Sequence, residues 1–311
     1  MGVEQPTREP QRRRLSIREG PLQMMLASLI LTIMIGLVKS VRADLSTSET
    51  VFWRGVLAVP FAALIALPAG FRVQNKRGLV VRCGFGIGAM WLYFAAAVGL
   101  SLADLTLLGK LRPLLIAGAA PLFLGAAERP GRGLWLLIFV GLLGCGLIVQ
   151  PGLAVGSSYG MIALAGVIVA AAAHLTLRWL GRTEDPRTVV FWFQVSVTLV
   201  MGAVLLFTQG SISLPPSHLW PPLVGIAICA TLGQLALTRA YQVEQAATVA
   251  AASYIGPIYA VIGDVLFFDG WPSLQVFVGG GLVVLAGLFV SLRWETEAQR
   301  SARGKASDGL Q

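Results

Sequence analysis

The chain has 311 residues, of which 56% are hydrophobic and 13% charged. A soluble domain carries about twice that charged fraction, so composition excludes an ordinary soluble enzyme of this length. The net charge of +9 would suggest a nucleic-acid partner in a soluble protein, but here the basic residues lie between apolar runs and mark membrane topology, so no nucleic acid is expected. Cys83, Cys145 and Cys229 have no ligand-like spacing and read as buried thiols.

Residues 1–20 form a basic polar tail without the apolar core of a signal peptide, so no processing is expected. Pro6 stands where acylation at Gly2 would need Ser or Thr, which argues against a myristoyl anchor. Apolar runs then predict membrane helices at 21–42, 49–69, 78–99, 102–126, 133–150, 157–179, 187–208, 220–242, 245–268 and 273–293. A second polar tail covers 294–311. Ten crossings place both termini on one side of the bilayer. With that side inside, Arg42 lies outside, Lys39, Arg54, Lys110 and Arg112 lie in the membrane, and the remaining 19 of the 24 Lys and Arg fall on inner segments. Arg82 and Arg178 are counted among those inner flanks. The asymmetry predicts cytoplasmic termini in a bacterial-type inner membrane.

The fourth predicted helix is the most unusual. It carries Lys110 and Arg112 at membrane depth, where insertion scales put a charge at roughly 2.5–3.5 kcal/mol. Pro113 follows them, deprives the Gly109 carbonyl of its helical partner and predicts a kink. The same pattern returns at Pro257, 144 positions later, and Val51-Phe52-Trp53 returns as Val190-Phe191-Trp192 at a spacing of 139. That second spacing also carries Lys39 onto Arg178. The chain therefore reads as a five-helix unit written twice, 21–150 and 157–293. An odd number of crossings per unit inverts the second copy, and such repeats hold a solute site between the halves near the midplane.

On these residues the chain resembles the drug/metabolite transporter superfamily, in its EamA-like branch. The likeness is carried by Lys39, Trp53-Arg54, Pro113, Gly125-Ala126-Ala127-Glu128 and Gly256-Pro257, and spans residues 21–293. Lys110 and Arg112 depart from the small or apolar residues usual in the branch, and Asp269-Gly270 replaces its second Leu-Gly-Glu. The resemblance implies an all-α integral membrane protein, ten transmembrane helices as two inverted five-helix repeats, that moves a small-molecule solute.

Among candidate site residues, Lys110 shares a helix face with Thr106, Pro113 and Ala117 and is expected to be the substrate-facing charge. On a continuous helix Arg112 would point the other way and pair within the protein or support helix packing. Trp91, Tyr93, Trp192, Gln194, Gln234 and Tyr254 could line the cavity, with Trp91 and Tyr254 preferred because both lie well inside their helices. Arg54 has a binding, structural or gating reading. Lys39 either snorkels to the interface or joins the pocket. Asp264, on the face of Tyr254 and Pro257, is an interfacial carboxylate or the partner of a cation in an outer gate. His174 reads as a packing residue or a proton carrier. Asp104 suits a helix start, and Glu128 is expected to tie to Arg129, Arg132 or another basic loop. Gly84-Phe85-Gly86-Ile87-Gly88 has no preceding strand and reads as helix packing. Gly279-Gly280-Gly281 serves either a homodimer contact or packing within the chain.

No Walker loop, metal-spaced histidine pair or nucleophile elbow is present, so the chain reads as a non-enzyme without catalytic residues, metal or cofactor. The function expected is secondary transport, with export the default, of a small amphipathic or anionic metabolite such as an amino acid or organic acid. The alternatives are an exchanger or uptake carrier for a nucleotide-like or phosphorylated anion, and a non-transporting membrane subunit.

Overall fold

A computed structural model describes residues 14–100, 102–149, 157–268 and 273–295. It is a bundle of helices: α1 (Glu19–Val41), α2 (Thr47–Ala66), α3 (Lys76–Ala97), α4 (Leu102–Gly109), α5 (Arg112–Leu124), α6 (Arg132–Val149), α7 (Ser158–Leu180), α8 (Pro186–Gln209), α9 (Trp220–Val243), α10 (Ala246–Ala252), α11 (Gly256–Phe268) and α12 (Leu274–Ser291). One antiparallel pair of four-residue strands, β1 (Arg14–Ile17) and β2 (Leu292–Glu295), joins the two ends of the described chain. Ten segments are long and apolar enough to span a bilayer, each overlapping one of the ten predicted helices. Large apolar side chains such as Leu122, Phe123 and Phe207 point outward, as lipid contact requires.

Local sequence starts the helices. Ser46 and Glu49 form a reciprocal capping box at α2, Asn75 accepts from Gly78 N at α3, and Asp185 caps α8 with Pro186 as its first residue. The two broken spans are broken by the same device. Between α4 and α5, Lys110 N and Leu111 N turn back to the carbonyls of Leu107 and Leu108, and Pro113 stands second in the new helix. In the ninth span a short tight turn, Ser253–Ile255, separates α10 from α11, again with proline second, at Pro257. Proline tolerates that position because its missing N–H has no intrahelical acceptor there.

The halves pack pairwise across one another. Helix α1 lies along α9 and α3 along α7, while α2 pairs with α8 and α6 with α12. Exchanging the halves turns the first two pairs into each other and the last two into themselves. The homologous tryptophans obey the same exchange: Trp53 Nε1 donates to the Ser213 carbonyl at 3.2 Å, and Trp192 Nε1 to the Phe71 carbonyl at 3.0 Å. Each therefore fastens the loop that follows its counterpart's helix.

Close helix contact rests on glycine where the α6–α12 pair crosses. A Cβ at Gly144 would lie 2.7 Å from the Gly279 carbonyl oxygen, and one at Gly279 would lie 2.6 Å from the Gly144 oxygen. Gly279 thus packs inside the chain, while Gly280 and Gly281 face open space. Gly144→Ala should lower stability by about 1–3 kcal/mol, because backbone cannot give way as a side chain can. Gly280→Ala should change little. Melting of the purified protein in detergent compares the two.

Candidate solute-binding site

Between the halves, six spans bring polar side chains into the apolar interior. Arg82 of α3 is 4% exposed, not a solvated flank as the basic-residue count had it. It sits a turn deeper than Lys76 and Arg77, and those two already serve the interface. Its guanidinium lies over the Phe193 ring, 4.3 Å from the centroid, and donates to Gln234 Oε1 of α9 at a long 3.5 Å. Gly86 makes room for this: a Cβ there would collide with Arg82 Nη1 and approach Phe193 Cε2 to 2.7 Å. The glycine run in α3 is therefore more than helix packing at this one position.

His174 of α7 stacks on Tyr241 of α9 with ring centroids 4.9 Å apart and an interplanar angle of 12°. The break after Gly109 starts a new helix at Arg112, so the continuous-helix expectation for Lys110 and Arg112 does not apply. Buried Nε atoms of Arg54, Arg82 and Arg112, Nδ1 of His174 and both amide atoms of Gln194 have no hydrogen-bond partner. Among the described residues no ion pair joins these three arginines or Lys110 to a carboxylate. Buried polar atoms left in this state demand a ligand or water.

The other expected site residues lie around this cluster. Lys110 Nζ approaches the Ser253 carbonyl at 3.4 Å and would sit 3.3 Å from a Cβ at Gly256. It joins the break in the fourth span to the break in the ninth, and its ammonium faces the C-terminal carbonyls of α10, where a cation is favoured. Tyr254 is 2% exposed and packs where Gly141 of α6 leaves space, its hydroxyl unpartnered. Trp91 is nine residues from Arg82, about half a turn out of phase on α3, and is 44% exposed. It lies on the face opposite the cluster. Tyr93 is on the Arg82 face. Lys39 is exposed near the end of α1, and Arg54 is half-buried within α2. The side chain of Asp264 and residues Asp269 and Gly270 lie outside the described residues.

Sequence reasoning passed over Arg82 and Tyr241. Both were legible as stripes, Arg82-Gly86-Ala89-Tyr93 on α3 and Thr231-Gln234-Thr238-Tyr241 on α9, each a small or polar face on an otherwise apolar helix.

One end of the bundle is bonded shut between the halves. Arg178 Nε meets Glu128 Oε1 at 2.8 Å, Arg178 Nη1 donates to the Gln242 carbonyl at 2.7 Å, and Ala246 N donates to Glu128 Oε2 at 2.9 Å. Glu128 thus ties to a helix of the other half, not to a neighbouring basic loop, and Arg178 is a bundle residue. Glu184 accepts from the backbone of Gln74 and Asn75, and Thr188 donates to the Gly70 carbonyl. Arg239 and Glu19 pair at 2.7 Å. These contacts all lie at the end carrying the basic connections. At the opposite end Trp53 donates to the Ser213 carbonyl and His218 lies 3.7 Å from Asp44.

The EamA-like transporter family matches residues 18–150 and 158–292, almost the whole described bundle and in two copies. The chain belongs to the EamA-like transporter family. As a member it is a multi-pass membrane transporter of the drug/metabolite superfamily and not an enzyme. It is 31% identical over 279 residues to the pseudopaline exporter of Pseudomonas aeruginosa, covering 88% of this chain and 96% of that one. An uncharacterized transporter of Helicobacter pylori is 28% identical over 90% of this chain and 96% of its own. A solved crystal structure superposes with a TM-score of 0.76 at 17% identity, over 89% of this chain and 98% of the other, and so shares the fold.

Proposed function

We propose that this chain is a secondary transporter exporting a small anionic metabolite, an amino acid or organic acid, by alternating access. The observation that carries the reading is the pair Arg82 and Arg112. Both are guanidiniums that stay charged in any protein interior, both have a buried Nε without a partner, and among the described residues no ion pair joins either to a carboxylate. An arriving anion supplies the missing charge. Lys110 is already bonded to backbone, so we assign it the junction of the broken helices rather than the solute.

The basic end is read as cytoplasmic, with the chain in an inner membrane, because basic connections mark the cytoplasmic side. The halves are read as inverted, since each family copy contains five spans and the paired tryptophans fasten opposite ends. Closure at the basic end then corresponds to the outward-facing stage of the cycle. A relative named as an exporter favours the outward direction. Transport needs no hydrolysis: an ion gradient, exchange or the solute's own gradient drives it.

The test is accumulation in proteoliposomes from a pooled panel of labelled amino acids and organic anions. Wild type is expected to move at least one anion. Arg112→Gln should raise KM by about 100-fold or more, as removal of a buried charge partner does. Lys110→Ala should slow turnover with KM nearly unchanged. A wild type that moves only neutral or cationic solutes would sink the proposal.

A further inference from the structure

The geometry points to a second binding site, for an anionic phospholipid of the leaflet at the basic end, in the groove between the α2–α3 connection and the start of α8. The groove holds about 1110 Å³, more than the roughly 300–1,000 Å³ that takes a drug-sized ligand. Its lining includes Arg72 and Lys76 of the first half, both exposed, and Trp192 of the second. Among the described residues no ion pair joins either cation to a carboxylate. Glu184, which is bonded to this connection, accepts from the backbone N–H groups of Gln74 and Asn75 and lies outside the lining. A second groove at the same end is different. Its Arg187 meets Asp185 at 3.0 Å and its Arg239 meets Glu19 at 2.7 Å, so the protein neutralises those cations itself. In the first groove the counter-charge has to come from an occupant.

The rest of the lining favours a lipid over a soluble anion. Leu79 and Val80 follow Lys76 in the first turns of α3, and Val80 is exposed. One wall therefore passes from a cation to open apolar surface within about 6 Å along the helix. A free phosphate meets only the cations, whereas a phospholipid also lays an acyl chain along Val80. The aromatic side is held in place: Trp192 Nε1 donates to the Phe71 carbonyl, and the Phe191 ring lies 4.7 Å from Phe71 and 5.2 Å from Trp192. Tryptophan belongs at headgroup depth, and basic pockets on this side of a membrane hold anionic headgroups. The site draws on both halves, beside the bond from Thr188 to the Gly70 carbonyl that already joins them. A bound lipid therefore stabilises the folded bundle by mass action.

The experiment uses the purified full-length protein in a non-ionic detergent and reads thermal stabilisation. The probes are dioleoyl phosphatidylglycerol, dioleoyl phosphatidylcholine and the water-soluble sn-glycerol 3-phosphate. Phosphatidylglycerol is expected to act at a concentration about 30-fold below phosphatidylcholine, as two basic residues at a membrane surface imply. Glycerol phosphate should have little effect. Combining Arg72→Gln with Lys76→Gln should reduce the preference to about threefold or less, and Arg187→Gln in the second groove should leave it whole. Should the double variant fail to fold, each single variant should show a preference of about fivefold. Equal stabilisation by the two lipids would overturn the inference. So would glycerol phosphate as effective as phosphatidylglycerol, which would make this a site for a soluble anion. A full preference that survives in the glutamine variants would place the lipid elsewhere and overturn it as well.

Discussion

Replacing Glu128 by glutamine is expected to open the basic end of the bundle. The carboxylate has two tasks, one per oxygen: it holds Arg178 at 2.8 Å and accepts the Ala246 N–H that starts α10 at 2.9 Å. Its side chain is 6% exposed and that of Arg178 is 26%, so water compensates little when the pair is broken. An amide cannot replace it, because one of its two atoms is a donor and faces either a guanidinium or a backbone N–H. Loss of a buried, hydrogen-bonded charge partner costs about 3–5 kcal/mol, and the residual exposure of Arg178 brings this to roughly 2–4 kcal/mol. That cost falls on the state closed at this end, and 1.4 kcal/mol changes a population about tenfold. Ala247, fully buried in α10, supplies the probe as Ala247→Cys. The cysteine should resist an impermeant maleimide applied at the basic end of otherwise wild-type protein and react readily in the Glu128→Gln background. Equal labelling in both backgrounds would remove the latch from the transport cycle.

Gly86→Val is expected to disable transport without removing any charge. The new side chain occupies the space of Arg82 Nη1 and meets the Phe193 ring, so the guanidinium must leave the position in which it lies 4.3 Å over that ring. Arginine over an aromatic face, desolvated, is worth about 2 kcal/mol, and a site displaced by about 1 Å loses on the order of 100-fold in rate. Uptake should fall at least tenfold by this estimate. Gly84→Val, at a glycine with open space around it, is the matched control and should transport normally. Equal uptake by both variants would show that the Arg82–Phe193 geometry is not used.

The span pattern was open to reading from the start, and the reason is physical. A bilayer forces long apolar runs, so each predicted helix overlaps an observed span to within a few residues, even where two are broken. The breaks were announced by Pro113 and Pro257, although a kink in one helix was expected and two separate helices with a turn between them were found. That difference matters for the site, since the phase of Arg112 relative to Lys110 is set by the turn and not by a regular helix. The preference for Trp91 came from its depth along α3, which says nothing about which face it occupies.

Span number, the basic asymmetry, the five-helix repeat and the absence of catalytic motifs follow from composition and order along the chain, because membrane solvation acts on each segment separately. Which charges lie inside was decided only by the packing of α3 on α7 and α8, and of α9 on α7. Arg82 and Arg178 resemble interface residues in sequence, each near a basic helix end. Burial against Phe193 in one case and Glu128 in the other depends on residues fifty or more positions away. Charge pairing acts through space, so it is settled by the fold that brings the partners together.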